Sequence, residues 1–306
     1  MDLDDIIADI TIWWSKHADT PPIQPPPVQP PPVQPPPDTG LVRGSMFIPQ
    51  QQPRAPWITS GPDWPDSTQA YARCHGNPWE GAYRVWLLTA LHTWGANAVV
   101  YFADKFKGMI ELEMFLADTA SPVDGHHIND GENSCVWLKK AGINIHVPIL
   151  TDSPQWTIGM DRMESFIQDL AAAYRTARDI RVVWLIGLEC DRNMNVGQVC
   201  QVADWVRNHV GASAEVVCGS QNGEFLKQVH TADGRLGLWL EQPGHPIFQA
   251  LTSDTAPAYL ALLDDLAKLG VPLYAGEWWA RDDATRKAIT AQLTAKGIHC
   301  GCGQWA

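Results

Sequence analysis

From about residue 41 onward the chain alternates short apolar runs with helical stretches, and several helices stop on a glycine just before the next run. The apolar runs fall near 55–60, 97–103, 143–150, 181–188, 214–219, 235–240, 271–276 and 297–302. Helical patterns lie between them near 80–93, 132–141, 160–178, 196–210, 222–230, 256–269 and 282–296. Gly95, Gly142, Gly211, Gly270 and Gly297 stand where a helix needs a left-handed residue to end before a strand. Eight strands alternating with helices give the arithmetic of an α/β protein with the (β/α)8 TIM barrel architecture. An open doubly wound sheet would want a glycine-rich phosphate turn after its first strand, and none is present. The text stops at Ala306, directly after the eighth strand, so the segment 62–79 or something outside the chain is expected to cover the place of an eighth helix.

Ahead of this domain stand two segments of different chemistry. Residues 3–17 carry Leu3, Ile6, Ile10 and Trp13 at steps of three and four, with Ile7 and Trp14 widening the stripe. Asp2, Asp4 and Asp5 suit the positive end of a helix dipole there. Such a short amphipathic helix needs a partner for its apolar face. Residues 21–37 read PPIQPPPVQPPPVQPPP. Proline fixes φ and removes the amide donor, so this stretch is a polyproline II rod of roughly 50 Å rather than helix or sheet. The expected organisation is an anchoring or oligomerisation helix over 1–20, a polyproline linker over 21–40 and the barrel over 41–306.

Composition removes whole classes of function. A net charge of −12 argues against nucleic acid or an anionic membrane surface as the main partner. No apolar run approaches the ~18 residues of a membrane span. The 7 cysteines are scattered and odd in number, which suits buried thiols better than a disulfide framework. Neither a four-thiolate zinc site nor a site at His126, His127 and Asp130 has ligand spacing to support it, and no metal or other cofactor is expected. His146, in mid-strand, reads as a core histidine. The acidic start lacks the basic region of a secretory signal.

Active sites of (β/α)8 barrels lie at the C-terminal ends of the strands. The residues ending the strands are Asp104, Asp152, Glu189, Glu241 and Glu277. Carboxylates are rarely buried without cause, so five around one mouth imply a polar ligand or reaction. Alternation puts Glu189 on a face with Leu185 and Gly187, Glu241 with Gly237 and Trp239, and Glu277 with Leu273 and Ala275. Aromatics near the strand ends, Trp239, Trp278 and Trp305 foremost, are candidate faces for a sugar ring. Two glutamates beside an aromatic-lined cleft suit glycoside hydrolysis, in which one protonates the leaving oxygen and the other attacks the anomeric carbon or activates water. Ion pairs of Glu189 with Arg192 and of Glu277 with Arg281 are the structural alternative.

The strand-four segment Trp184-Leu185-Ile186-Gly187-Leu188-Glu189 and the strand-seven segment Leu273-Tyr274-Ala275-Gly276-Glu277-Trp278 resemble the clan-A glycoside hydrolases. The resemblance covers about residues 45–306 in architecture and rests on short motifs. It implies a retaining enzyme with Glu189 as acid/base, Glu277 as nucleophile and Trp305 as the strand-eight aromatic. Glu241, Trp239, Trp278, Asp104 and Asp152 are then the expected substrate contacts. The family's usual Asn before the acid/base is Leu188 in this chain.

An anchoring helix, a proline stalk and a glycosidase-like head without an export signal suggest a virion-associated protein of a tailed phage, released by lysis. Its barrel would act on cell-surface polysaccharide or peptidoglycan, and Leu3, Ile6, Ile10 and Trp13 would grip a protein partner on the particle. A non-catalytic glycan-binding decoration or receptor-binding protein is the second expectation. A cytosolic glycosidase oligomerised through its first helix is the third.

Overall fold

The computed structural model describes residues 40–47, 96–103, 142–151, 158–175, 179–243 and 250–304. All of these fall in the compact unit Gly40–Ala306. The helix expected over 3–17, the proline segment, the run 55–60, the stretches 62–79, 80–93 and 132–141, and His126, His127 and Asp130 lie outside the described residues.

Eight parallel strands follow one another in chain order around one sheet. They are β1 (Gly44–Phe47), β2 (Ala98–Phe102), β3 (Ile145–Thr151), β4 (Arg181–Gly187), β5 (Glu215–Ser220), β6 (Gly237–Leu240), β7 (Leu273–Trp279) and β8 (His299–Gln304). The ring closes where Arg43 bridges Cys300 in parallel and the Cys300 amide donates to the Val42 carbonyl at 2.8 Å. The fold is therefore the (β/α)8 TIM barrel. Its first strand is Gly44–Phe47, earlier than the run at 55–60 that the sequence suggests. Gly44 permits this closure, because a Cβ there would stand 1.8 Å from the Gly301 carbonyl oxygen.

The described helices are α1 (Met160–Tyr174), α2 (Cys190–Asn193), α3 (Val196–Val210), α4 (Gly223–Ala232), α5 (Ala256–Ala267) and α6 (Asp283–Ala295). None of them is long and apolar enough to cross a membrane. Gly142, Gly211, Gly270 and Gly297 all have positive φ, as their places before strands require. The start of α3 is fixed by a capping box, with the Asn195 side chain accepting from the Gln198 amide at 3.0 Å and Gln198 accepting in return at 2.9 Å.

Apolar residues form two layers, as alternation demands of a closed barrel. Val100, Val147, Leu185, Val217, Trp239 and Tyr274 fill the interior. Val99, Trp184, Ile186, Leu238, Leu273 and Ala275 face outward against the helices. His146 is fully buried on that outer side, edge-on to Tyr101 and Tyr174, with Nδ1 3.3 Å from the Tyr174 hydroxyl. It is a core histidine, as its mid-strand position suggests.

The N-terminal end of the barrel is closed by a polar group rather than by hydrocarbon. Arg181 meets Glu215 through two guanidinium nitrogens at 2.9–3.0 Å, and the Tyr274 hydroxyl donates to the same carboxylate. Tyr274 lies between two flat partners, Trp239 at 5.8 Å and His299 at 4.3 Å. Burial, reinforced by the neighbouring Glu215 charge, pushes the Tyr274 hydroxyl well above its ordinary pKa, so it stays a donor.

Candidate functional site at the C-terminal strand ends

The register of β4 on β5 sets the first part of the site. Leu185 is level with Val217, so four residues further on Glu189 comes level with Gln221. The Gln221 amide donates to Glu189 Oε1 at 2.7 Å. The other oxygen, Oε2, accepts from Arg192 at 2.8 Å, one turn along α2. The Glu189 side chain is 15% exposed and that of Arg192 59%. The ion pair between Glu189 and Arg192 that the sequence offers as an alternative is thus present, with the arginine much the more exposed partner.

A second cross-link holds the same turn. The Ser220 hydroxyl donates to the Asp191 carboxylate, and the Asn222 amide donates to Ser220 Oγ at 2.8 Å. Gly219 makes the approach possible, since a Cβ there would stand 2.1 Å from the Gly187 carbonyl oxygen. Cys190 and Cys218 are buried beneath this turn as free thiols. A hydrogen bond between them, together with burial, pushes Cys218 well above its ordinary pKa, which suits packing rather than reactivity.

Glu241 follows β6 and continues its ladder, its amide donating to the Ser220 carbonyl at 3.0 Å. It is buried, and it adds to the burial that pushes the pKa of the Tyr259 hydroxyl well up. Tyr259 in turn donates to the Leu240 carbonyl at 2.8 Å.

Glu277 lies in β7, two residues before the strand ends. Leu273 and Ala275 face the helices, whereas Tyr274 faces the interior. Strict alternation would carry Glu277 outward. Trp278 and Ala280 nevertheless pack in the helix-facing layer, so strict alternation does not hold to the end of β7. The Glu277 carbonyl accepts from the Gln242 amide at 3.0 Å, which ties the ends of β6 and β7 together.

Two expected sugar contacts are corrected by burial. Trp239 and Trp278 are both 0% exposed. Trp239 lies across the barrel interior: a Cβ on Gly276 would come within 2.4 Å of its Nε1, and one on Gly301 within 2.5 Å of its six-membered ring. Trp278 packs in the helix-facing layer. Neither offers a face to a ligand. Asp104, Asp152 and Trp305 lie outside the described residues, as do Leu3, Ile6, Ile10 and Trp13. Leu188, before the candidate acid/base, is buried in the interior cluster with Leu185 and Trp239.

Gln221 is the residue that the sequence reading does not reach. An uncharged amide in a loop carries no signal of its own. Only the β4–β5 register, once known, brings it opposite Glu189.

No protein-family model matches the sequence, and no curated protein matches it. Among solved structures, the chain is similar to the endo-β-1,4-mannanase of Thermotoga petrophila at 10% identity, over 71% of this chain and 63% of that one, with a TM-score of 0.46. A second mannanase structure from the same organism aligns at 11% identity over 87% of both chains, with a TM-score of 0.48. A monomeric β-xylosidase from Caulobacter crescentus aligns at 12% identity over 86% of this chain and 63% of that one, with a TM-score of 0.46. The chain spans less than two thirds of the first mannanase structure and of the xylosidase.

Proposed function

We propose that this chain is a retaining glycoside hydrolase acting on bacterial cell-surface polysaccharide or peptidoglycan, with Glu189 as acid/base and Glu277 as nucleophile. The observation that carries the reading is the placement of Glu189 and Glu277 at the C-terminal ends of β4 and β7 in one closed barrel. A protonated Glu189 gives its proton to the leaving glycosidic oxygen as the Glu277 carboxylate attacks the anomeric carbon. Water then enters, Glu189 takes its proton, and the sugar leaves with its configuration kept. Glu241, buried nearby, is a candidate contact for a sugar hydroxyl. The segment 1–40 tethers this head to a larger assembly, a phage particle in our reading. Its apolar stripe docks and its proline rod gives reach.

A second reading, a glycan-binding protein without catalysis, is favoured by Arg192 paired with Oε2 of Glu189 and by Leu188 in the interior. The two separate in one experiment. Purified chain is incubated with peptidoglycan sacculi and with extracted bacterial surface polysaccharide, and new reducing ends are counted. The hydrolase reading expects release that falls by about 10²–10⁴-fold in Glu189→Gln. Binding with no release from the unaltered chain establishes the second reading instead.

A further inference from the structure

We propose that Gln221 is the positioning residue for Glu189, holding one carboxyl oxygen in place while the other exchanges its proton with the substrate. This rests on Glu189 being the acid/base of the reaction above. Arg192 and Gln221 meet this carboxylate with unequal chemistry. Arg192 is a long, mostly exposed arm on the four-residue helix α2, and a ligand entering from the mouth can displace it. Gln221 is shorter and stands on a fixed stretch of backbone. It is bracketed by Ser220, which reaches Asp191 and receives the Asn222 amide, and by Asn222, which caps α4 by accepting from the Glu224 and Phe225 amides at 3.1 and 3.2 Å.

The charges separate the roles further. A guanidinium favours the ionised carboxylate and would oppose its protonation. A neutral amide fixes the orientation of Oε1 at a smaller electrostatic bias. When Arg192 moves out, Gln221 still holds Oε1 and with it the orientation of the carboxylate. The same turn is fixed from below by the Asp191–Ser220 contact, so Glu189 and Gln221 keep their spacing whether or not Arg192 is engaged.

The test uses the full chain as wild type, Gln221→Leu and Gln221→Glu, on whichever of the two glycan preparations the wild type cleaves. The readouts are kcat, KM, the pH profile of kcat/KM and the melting temperature. Gln221→Leu is expected to lower kcat by about tenfold with KM within about twofold. Its basic limb should move up by about half to one pH unit, because a donor to the ionised form has gone and that limb reports loss of the proton from the acid. Gln221→Glu, of equal volume, should move the limb further up by placing a second carboxylate beside the first, and it carries the test if the leucine variant melts early. Combined with Glu189→Gln, Gln221→Leu should cost nothing more. An active wild type whose basic limb stays put in both variants overturns the assignment of Gln221 alone, as does full additivity with Glu189→Gln. A wild type that releases no reducing ends overturns the hydrolase reading and this role with it.

Discussion

Trp239 illustrates what one residue's position says and what its number in the chain does not. Its parity on β6 is legible from the sequence, and the structure places it on the interior face as that parity requires. Its depth is not legible, because it is set by Gly276 and Gly301 on two other strands, which leave the space the indole fills. It is part of the packing below the mouth. Truncating Trp239→Ala should therefore destabilise the barrel by about 3–5 kcal/mol. Gly301→Ala should cost about 1–3 kcal/mol by overpacking against the same ring. Urea unfolding of the two variants checks both values. A Trp239→Ala protein of undiminished stability with weakened glycan binding would return Trp239 to the ligand. Glu189 and Glu241 were legible as strand-end carboxylates, whereas Gln221 owes its contact to register.

At the scale of elements, β8 carries a pH dependence that the sequence hides. The Val42 amide, just before β1, donates to His299 Nδ1 at 2.9 Å, so this nitrogen must be unprotonated for that one of the closing bonds to form. Burial depresses the His299 pKa from its ordinary 6.5 to about 4; Glu215 pulls the other way and Arg181 adds to the depression. Between those values the unfolded chain binds more protons than the folded one, so stability rises with pH across the window and is lost as pH falls from 6.5 towards 4. His299→Asn keeps an acceptor at the position of Nδ1 without a titration. Urea midpoints from pH 7 to 4.5 should fall less steeply in this variant, and parallel declines would contradict the assignment. Other elements were legible to within a few residues where punctuation was clear, as for α3 with Asn195 before it and Gly211 after it. The first strand was not, because Gly44–Phe47 is four residues long with little apolar pattern, and the longer run at 55–60 drew the assignment. The packing at the end of β7 was hidden for a different reason: Gly276 makes room for the Trp239 indole across the sheet, which no local pattern encodes.

For the whole molecule, the barrel was legible because eight alternating strand-and-helix units match its repeat and no glycine-rich phosphate turn marks an open doubly wound sheet. What the sequence could not give was how the ring closes at its base, where Arg181, Glu215, Tyr274 and His299 come from four strands. The proposed tether makes its own claim at this scale. Removing residues 1–39 should leave release from soluble glycan fragments within about twofold, since a spacer contributes reach rather than chemistry. The same deletion should abolish attachment to the partner particle, which co-sedimentation would measure. The central claim is that a carboxylate on β7 does the chemistry of a sugar-cleaving barrel. It is tested most directly by counting reducing ends from one glycan preparation with wild type and Glu277→Gln side by side, while measuring binding of both. The account expects release by the wild type only and binding by both. Equal release by the two proteins, or none by either, would contradict it.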